Sequence, residues 1–499
     1  MRTAHTVDTV RRAEAELMAR LPEGTLMQRA AAGLATACAE LLRGNSGNSG
    51  NSGGSGGGRV YGSRVVVLAG SGDNGGDALY AGARLARRGA GVTAVLLAPD
   101  RTHPGGLTAL RAAGGRVADD PFEALDTADL VLDGITGIGG HGGLRPAAVP
   151  IARAARGSRA VVVAVDLPSG VEADSGEVLG EALRADLTVV FGTEKPGLLA
   201  GPAREYAGTV RLVDIGLGGI LPSVPALEAL QHTDVAHLLP EPNAASDKYR
   251  RGVVGIVAGS ARYPGAAVLA VAGALRGGAG AVRYVGHAAD AVIARFPESL
   301  VHAGPPGKAG RVQSWVVGPG LGDDLEAVAE VLAAPVPVLV DADGLRRLAD
   351  DPALLRDRTA PTLLTPHAGE AAALLNATRE EVEAAQLAAV RELAARYGAT
   401  VLLKGAATLI ADPDPRTPVR ANTMGTPWLA TAGSGDVLAG LAGSLLAGGL
   451  PARDAGSAAA YLHGLAARRA AADAVPVTSY EVAEALGRAW RDVRETTGG

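Results

Sequence analysis

A short stretch near the end of the chain combines small residues with one acid in a pattern that could transfer phosphoryl groups. It reads Ala-Thr-Ala-Gly-Ser-Gly-Asp-Val-Leu-Ala-Gly over residues 430–440, and an apolar helical pattern begins inside it. Gly433–Gly435 would lie at the helix N-terminus, where free N–H groups and the helix dipole favour an anion. Asp436, in the first turn, could take a proton from an attacking hydroxyl. A Gly-rich loop followed by an acid also occurs as plain helix capping in α/β proteins, so its neighbours decide between the two interpretations.

A second candidate site follows an apolar run in the first part of the chain. The segment Gly70–Gly75 matches G-x-G-x-x-G, the dinucleotide-binding fingerprint. Asp73 and Asp77 flank this segment, however, and two carboxylates would repel a pyrophosphate. Together with Asn74, these acids are better suited to a cation and to the hydroxyl groups of a ligand.

Two further turns place oxygen ligands after predicted strands. They are Asp133–Gly137 and Asp166–Gly170. Because the carboxyl ends of parallel strands meet at one edge of a sheet, these turns should converge with the first. Asn74, Asp133 and Ser169 then offer hard ligands for a cation, and Asp166 is a candidate acid/base. The alternative is that these residues only cap turns and helices.

Apolar runs of strand length alternate with helical patterns through both halves of the chain, which predicts parallel sheets with helices on both faces. Near Leu217–Ala226 the pattern lapses into Gly, Pro and small residues, which predicts a domain boundary. The first half contains predicted strands at Arg64–Ala69, Val92–Ala98, Leu130–Asp133, Ala160–Val165 and Leu187–Phe191, with a helix over Asp77–Arg88. The second half contains predicted strands at Val253–Ala258, Val282–Val285, Ser314–Val317, Val336–Val340, Thr362–Leu364 and Thr400–Leu403.

Composition narrows the class of protein. The 499 residues are too many for one ordinary domain, and 3% aromatic residues leave Ala, Val, Leu and Gly to build the cores. A net charge of −5 without basic blocks argues against nucleic acid or an anionic membrane as partner. The single cysteine, Cys38, excludes internal disulfides and continues an apolar helical series, so it should lie in the core. With no signal peptide or apolar run long enough to span a membrane, we expect a cytoplasmic protein.

Two helices and a low-complexity insert are predicted at the N-terminus. Thr6 can cap a first helix that carries Val10, Ala13 and Leu17 inward, and a second helix covers Met27–Leu41. Residues 44–58 contain only Gly, Asn and Ser, a composition that cannot bury a core. We therefore predict a flexible loop there.

The motifs of the first half resemble the NAD(P)H-hydrate epimerase domain. The segments that carry this resemblance are Thr9–Glu14, Met27–Ala31, Asp73–Asp77, Val165–Val171 and Phe191–Gly197, and it spans nearly all of residues 1–220 except the insert. The resemblance implies a potassium ion held by Asn74, Asp133 and Ser169. It also implies that the hydrate meets Asp73, Asn74, Gly75, Gly76, Asp77, Gly137, Ile138, Gly139, Gly140, His141, Gly142, Gly143 and Asp166, with Asp166 as the catalytic acid/base. Asp73 stands where the family usually has Asn.

The second half carries an ordered series of glycine-rich and polar turns and lacks a Walker P-loop. The turns are Gly259–Ala267, Gly318–Gly322, Val340–Asp343, Leu364–Glu370 and Leu403–Thr408, followed by the 430–440 stretch. Together they resemble the ADP/ATP-dependent NAD(P)H-hydrate dehydratase, a branch of the ribokinase-like fold, from about Leu238 to Ala489. The resemblance implies that the adenine nucleotide, with Mg²⁺, contacts Lys404, Gly405, Ala406, Ala407, Thr408 and Gly435. It implies that the hydrate contacts Ala266, Gly322, His367 and Asp436, with Asp436 as the catalytic base.

Several of these residues have a purely structural alternative. His367 could cap a helix, Lys404 could be a solvated loop charge, and His463 on an Ala-rich helix is best explained as structural. Asp341 and Asp343 could orient magnesium or only cap a helix, and we leave that choice open. The segment Lys248–Arg251 could approach a phosphate or form an ordinary exposed loop.

These patterns predict a bifunctional enzyme of α/β class. A Rossmann-like three-layer domain (residues 1–224) would epimerise R and S NAD(P)H hydrates. A ribokinase-like domain (residues 225–499) would dehydrate the S form at the expense of ADP or ATP. We expect small-molecule ligands and a homo-oligomer. The alternatives are a vitamin or sugar kinase fused to a ligand-binding domain, and a regulatory protein that senses nucleotides without turnover.

The insert gives the first testable prediction. Because residues 44–58 cannot form a core, shortening them should leave the melting temperature and both enzymatic activities largely unchanged. Thermal unfolding and activity assays of the shortened chain measure this. A large fall in melting temperature would show that the segment has a structural role.

Overall fold

A computed structural model describes residues 1–44 and 59–495. The predicted loop over residues 44–58 lies outside the described residues except for Gly44, which ends a helix. Backbone contacts divide the chain into two compact units. We call Thr3–Ala226 the N-terminal unit, and Leu227–Gly499 together with Met1–Arg2 the C-terminal unit. Among the described residues, no helix is both long and apolar enough to cross a membrane.

The N-terminal unit alternates strands and helices along most of its length. Its strands are β1 (Arg2–Ala4, which straddles the division), β2 (Arg64–Ala69), β3 (Gly91–Leu96), β4 (Arg116–Val117), β5 (Leu130–Gly134), β6 (Val161–Val165), β7 (Leu187–Phe191) and β8 (Thr209–Val213). Its helices are α1 (Val7–Met18), α2 (Thr25–Gly44), α3 (Asp73–Ala86), α4 (Pro104–Ala112), α5 (Pro121–Asp126) and α6 (Val149–Gly157). Short 3-10 helices cover Pro99–Arg101, Pro196–Leu198 and Pro202–Tyr206.

Seven of these strands form one sheet in the order β4-β3-β2-β5-β6-β7-β8, and all their pairings are parallel. Alternate residues of β2 enter two different hydrophobic clusters, with Val65 and Val67 in one and Val66 and Leu68 in the other. Both faces of the sheet are therefore covered, as the unbroken apolar runs predict. The arrangement brings the carboxyl ends of β2, β5, β6 and β7 to one edge.

The C-terminal unit is larger and ends in three long helices. Its strands are β9 (Leu227–Ala229), β10 (Val253–Val257), β11 (Ala281–Val285), β12 (Leu300–His302), β13 (Ser314–Val317), β14 (Val338–Val340), β15 (Thr362–Leu364), β16 (Thr400–Leu403), β17 (Thr408–Ala411) and β18 (Val419–Asn422). Its helices are α7 (His232–Leu238), α8 (Pro264–Arg276), α9 (Ala289–Arg295), α10 (Glu326–Ala333), α11 (Asp343–Asp350), α12 (Ala368–Leu375), α13 (Arg379–Ala384), α14 (Gln386–Tyr397), α15 (Ser434–Ala447), α16 (Ala452–Ala470) and α17 (Ser479–Glu495). Short 3-10 helices cover Pro306–Lys308, Pro352–Leu355, Pro427–Leu429 and Ala472–Ala474.

The sheet of the C-terminal unit runs in the order β9-β18-β17-β16-β15-β14-β13-β10-β11-β12. Pairings from β16 through β12 are parallel, whereas β16, β17 and β18 form an antiparallel meander. The carboxyl ends of β13 to β16 therefore meet at one edge, beside the start of β17.

Helices α8 and α15 pack with their backbones close together. A Cβ atom at Gly440 would lie 1.9 Å from the carbonyl oxygen of Ala270, and one at Gly273 would lie 2.1 Å from that of Val437. Glycine is required at such positions because no side-chain atom fits there. This contact fixes α15, and thereby the Asp436 segment at its first turn, against the neighbouring helix.

The predicted α/β class is confirmed, with local corrections. The antiparallel strands β17 and β18 were not predicted, and Thr408 begins a strand. The helix predicted over Asp77–Arg88 begins at Asp73, so the acidic motif forms its first turn. Thr6 precedes α1 as predicted, but its hydroxyl bonds the Thr9 hydroxyl at 3.0 Å and caps no backbone N–H.

The close helix contact gives a prediction about stability. Gly440→Ala forces a Cβ against a backbone carbonyl and should destabilise the C-terminal unit by about 3 kcal/mol, as overpacking does. That corresponds to a fall of roughly 5–10 °C in its melting temperature. The matched control is Gly487→Ala on α17, where a Cβ meets nothing within 4 Å. Both variants gain the helix propensity of alanine, so a Gly440→Ala protein that melts with the control would contradict the packing argument.

Candidate active sites

In the N-terminal unit, two turns that follow β5 and β6 are joined by hydrogen bonds. The Ser169 hydroxyl donates to Asp133 Oδ1 at 2.6 Å, and the Ser169 backbone N–H donates to Asp133 Oδ2 at 2.8 Å. The Thr136 N–H donates to the same hydroxyl oxygen at 2.9 Å. Asp133 is fully buried, and burial raises its pKa to about 6 despite these bonds.

The first turn of α3 adds Asn74 and Asp77 to this edge. A Cβ at Gly137 would lie 3.0 Å from the Asn74 side chain, so the turn after β5 touches the turn after β2. Among the described residues, Asn74 Nδ2 and Asp77 Oδ1 are buried without a hydrogen-bond partner. Buried polar atoms are almost always bonded, which indicates that this crevice is built for a ligand.

Asp166, the predicted acid/base, forms a buried ion pair with Lys195 from the turn after β7. Lys195 is 1% exposed, and its ammonium contacts Asp166 Oδ1 and the carbonyl oxygen of Phe191, the latter at 3.3 Å. The Phe191 N–H also donates to Oδ1, at 3.1 Å. Because these contacts use Oδ1, the other carboxylate oxygen is left for a ligand. Asp166 has a left-handed φ of 66°, which is unusual for a residue other than glycine.

Acidic groups surround this ion pair. Burial raises the pKa of Asp77 well above its usual range, and the negative charges of Asp166, Asp73 and Glu14 add to the effect. Burial likewise raises the pKa of Glu14, against the opposing charge of Lys195. The site therefore holds carboxyl groups in different protonation environments, an arrangement that acid–base catalysis requires.

The predicted hydrate loop, residues 137–143, is only partly drawn into this site. Gly137 touches Asn74, and Ile138 packs on the hydrophobic core. His141 is 75% exposed and its ring nitrogen lies 2.9 Å from Glu172, whose other oxygen accepts from the Gly142 N–H. Gly139 and Gly140 lie between these points, and Gly143 follows them, where a Cβ would lie 2.9 Å from the backbone of Gly180.

In the C-terminal unit, Lys404 is the centre of a cluster of carboxylates. Its ammonium donates to Asp341 Oδ1 at 2.8 Å and lies 3.8 Å from Glu370 Oε2. Burial lowers the pKa of Lys404, but the charges of Asp341, Glu370 and Asp436 outweigh burial and raise it. Lys404 is thus a paired and largely buried charge, not the solvated loop charge of the structural alternative.

Asp436 lies in the first turn of α15 beside this cluster. Burial and then the charge of Asp341 raise its pKa to about 7, with smaller contributions from Asp343 and Glu370 and an opposing one from Lys404. A Cβ at Gly435 would lie 3.3 Å from Lys404 Nζ, so a side chain there would crowd the ammonium. The Lys404–Thr408 turn and Gly435, predicted to contact the same nucleotide, are therefore adjacent. Between Lys404 and Thr408, this turn consists of Gly405, Ala406 and Ala407.

The residues predicted to meet the hydrate lie at the same edge. Ala266 is half-buried in the first turn of α8, within contact of the turn after β13. The Gly322 N–H, in that turn, donates to Asp343 Oδ2 at 2.8 Å. His367 caps α12 and accepts the Glu370 N–H at 3.1 Å, as the structural alternative proposed, and it is also bridged to Lys404 through the backbone.

Residues left open or missed by the sequence analysis complete both sites. Asp341, undecided between magnesium and capping, pairs with Lys404. Glu370, Lys195 and Glu14 were named only as members of motifs. Charged residues just after strands were the available signal for Lys195 and Glu370, whereas Glu14 lies within α1 and had no such signal. His463 is buried in α16 with Nε2 unpartnered among the described residues, and burial lowers its pKa to about 4. Cys38 is fully buried in the core as predicted, and burial raises its pKa to about 12.

Two family models match the chain. The model described as NAD(P)H-hydrate dehydratase matches residues 254–488. The model described as YjeF-related protein N-terminus matches residues 23–197. Each falls within one of the two compact units.

Relatives match across both units. The bifunctional NAD(P)H-hydrate repair enzyme of Mycobacterium leprae is 49% identical over 479 residues, covering 95% of this chain and 96% of the relative. The Escherichia coli enzyme of the same description is 34% identical, covering 81% and 80%. A solved Bacillus subtilis structure, an ADP/ATP-dependent NAD(P)H-hydrate dehydratase co-crystallised with ATP/Mg²⁺, is 28% identical, with a TM-score of 0.47, and covers 53% of this chain and 97% of that one.

The family models and the relatives confirm the resemblance found in the sequence and favour it over the kinase and sensor alternatives. Identity near one half over almost the full length of both chains is sufficient to establish a common family. The chain belongs to the bifunctional NAD(P)H-hydrate repair enzymes, which combine an epimerase with an ADP/ATP-dependent dehydratase.

Proposed function

We propose that the two reactions of this repair enzyme are divided between the units, with Asp166 as the acid/base of the epimerase and Asp436 as the base of the dehydratase. The observation that carries the second assignment is the place of Asp436, in the first turn of α15 and beside Lys404 and Asp341. A carboxyl with a pKa of about 7 is matched to proton transfer at neutral pH.

In the dehydratase, Asp436 would accept the proton of the hydrate's ring hydroxyl as that oxygen attacks the terminal phosphate of the nucleotide. The O–P bond forms and the bond to the nucleotide leaving group breaks. Loss of the new phosphate with its C–O bond electrons, and of a proton from the adjacent ring carbon, then restores the double bond of the dihydronicotinamide. The free N–H groups at the start of α15 would hold the phosphate oxygens as charge develops on them.

Lys404 supports a nucleotide site beside Asp436, since its ammonium is fixed by Asp341 and Glu370 next to Gly435. This region also holds more carboxylates than cations, which would repel a bare polyphosphate. A magnesium ion carried by the nucleotide would offset that repulsion. Within the described residues, no group of three or more His, Cys, Asp or Glu side chains could hold a metal alone. That fits Mg²⁺ that is bound largely through phosphates.

In the epimerase, Asp166 would exchange a proton with the hydroxyl of the hydrate. Epimerisation breaks the bond between the ring carbon and the hydroxyl oxygen, which leaves as water after receiving a proton. Water then adds to the other face and returns its proton. Lys195 balances the charge of Asp166 through one carboxylate oxygen and leaves the other for this exchange. Asp73, Asn74 and Asp77 would bind the hydrate.

Potassium remains a proposal for the epimerase unit, and the residues present fit it. Asp133 and Ser169 supply oxygens in a buried pair of turns, and the side-chain oxygen of Asn74 lies beside the Gly137 turn, 3.0 Å from where a Cβ of residue 137 would lie. Bound potassium would neutralise the Asp133 carboxylate and hold the turns after β2, β5 and β6 together. A homo-oligomer and a cytoplasmic location remain predictions.

Replacement of the dehydratase base gives a quantitative prediction. Asp436→Asn keeps the size of the side chain but removes the proton acceptor, so turnover should fall by roughly 10²-fold or more. In the parent, kcat/KM should decline as pH falls below about 7, the pKa of Asp436, because a protonated carboxyl cannot accept a proton. This acidic limb should be absent from the residual activity of the variant. Near-normal dehydration with nucleotide binding intact would rule Asp436 out as the base.

Division of labour predicts complementation between variants. Given a mixture of R and S hydrates with nucleotide, Asp166→Asn should rapidly repair only the S portion, because its dehydratase site uses other strands. Asp436→Asn should equilibrate the epimers without consuming them. Mixing the two variants should restore full repair, since the hydrate can diffuse between active sites. Recovery of absorbance by the dihydronicotinamide measures each case.

The outcome that contradicts this assignment is specific. If Asp166→Asn alone clears the mixture as fast as the parent, Asp166 is not the epimerase acid/base. A variant that loses S-hydrate repair as well would indicate misfolding, and its thermal unfolding should then differ from that of the parent.

A further inference from the structure

The C-terminal unit has a second cavity, of about 390 Å³, at the opposite ends of α8 and α15 from Asp436. Its walls are the loop between α7 and β10, the last residues of α8 and α15, and one face of α17. Asp436 lies in the first turn of α15, whereas the cavity is lined by Ser444 in its last turn and Gly448 at its C-cap, ~12–18 Å farther along the helix axis. It is therefore separate from the active site.

The lining of this cavity is strongly basic. Five arginines from three different segments converge on it, against one glutamate, Glu241. The arginines are Arg250, Arg251, Arg276, Arg491 and Arg494. A converging set of guanidinium groups of this kind is characteristic of sites for phosphate and carboxylate oxygens, which they bind through paired hydrogen bonds.

Only part of this charge is neutralised by the protein. Arg276 pairs with Glu484 at 2.9 Å and Arg494 with Glu241 at 3.0 Å. Arg250 and Arg251 donate to the carbonyl oxygens of Ala245 and Gly278, at 2.8 and 3.1 Å, which leaves their positive charges in place. Asp247, whose carboxylate accepts the backbone N–H groups of Tyr249 and Arg250, places one negative charge near the Arg250 guanidinium. Arg491 makes no hydrogen bond or ion pair within the described residues.

Some of these arginines have a structural role, because they stabilise the C-termini of helices. Helices α8 and α15 direct the negative ends of their dipoles at this cavity, and basic side chains stabilise helix C-termini. Arg251 does so directly through the carbonyl oxygen of Gly278. Capping does not explain Arg491, which lies on the exposed face of α17 that lines the cavity, nor why the cavity stays open between the guanidinium groups.

The shape of the cavity adds a second feature. A Cβ at Gly487 would meet nothing within 4 Å, so the face of α17 is open where Gly487, Trp490, Arg491 and Arg494 line it. Trp490 is half-buried, and its ring lies beside both Arg494 and Gly278. An anionic group could thus enter between the arginines with an aromatic surface at one side.

We propose that this cavity binds a small molecule that carries phosphoryl groups. The five arginines outnumber Glu241 in the lining even when the neighbouring Glu484 and Asp247 are counted, which suits an anion, and guanidinium groups come from the loop, α8 and α17. The phosphoryl groups could belong to inorganic pyrophosphate or to a nucleotide. From the sequence, the segment Lys248–Arg251 could either approach a phosphate or form an ordinary exposed loop. It supplies two of the five arginines.

Calorimetric titration of the full chain with inorganic pyrophosphate and with ADP tests this proposal. Compared with the parent, the double variant Arg250→Ala/Arg491→Ala should lose one binding site or bind there at least ~10-fold more weakly. Gly487→Leu should have the same effect by filling the cavity while keeping every arginine. Equal binding of the two probes would identify the phosphoryl group as sufficient, and tighter binding of ADP would identify a nucleotide; either result supports the proposal.

The matched control is Arg488→Ala, which removes an exposed arginine from the same helix outside the cavity. It should bind both probes as the parent does, and thermal unfolding without ligand should show that every variant is folded. The proposal is overturned if both cavity variants bind pyrophosphate and ADP as the parent does. It is also overturned if Arg488→Ala weakens binding as much as they do, since the effect would then be one of net charge.

Discussion

Each unit holds one lysine at the carboxyl edge of its sheet, fully buried for Lys195 and largely buried for Lys404, and an ammonium removed from water must be matched by a carboxylate. Removing a charge from water is costly unless it is paired and hydrogen-bonded. Lys195 is therefore bonded to Asp166, and Lys404 to Asp341. Each pair fixes two strand-end turns relative to one another, because each partner comes from a different strand end. This requirement positions the turn that carries Asp166 and, in the other unit, the turns that lie beside Asp436.

The same burial sets the acid–base character of the sites. Lys195 and Lys404 are each surrounded by more carboxyl groups than one ammonium can neutralise. The excess negative charge, added to burial, raises the pKa of Asp77 in one unit and of Asp436 in the other. In the C-terminal unit this combination raises the pKa of Asp436 to about 7, which suits its proposed role as a base.

Composition and packing are related in this molecule. With few aromatic residues, the cores depend on close approach of backbones, as where α15 meets α8 at Gly440 and Gly273. Close helix contact makes α15 a rigid element with different chemistry at its two ends. Its first turn carries Asp436, and its last residues border the basic cavity. The helix dipole is consistent with both, since anions are favoured at the first turn and arginines at the last.

The sequence by itself determined the α/β class, most strand positions, the family, and the segments from which the sites are built. Local patterns suffice for these because hydrophobic periodicity and glycine-rich turns are properties of neighbouring residues. Only the tertiary structure decided which polar residues meet. The partners Lys404 and Asp341 are 63 residues apart, and Asp133 and Ser169 are 36 apart. Whether Lys404 was a solvated charge or a buried one, and whether Arg250 and Arg491 shared a cavity, depended on the packing of distant elements. No local pattern records that packing, because burial and charge pairing arise only when the strands and helices are assembled.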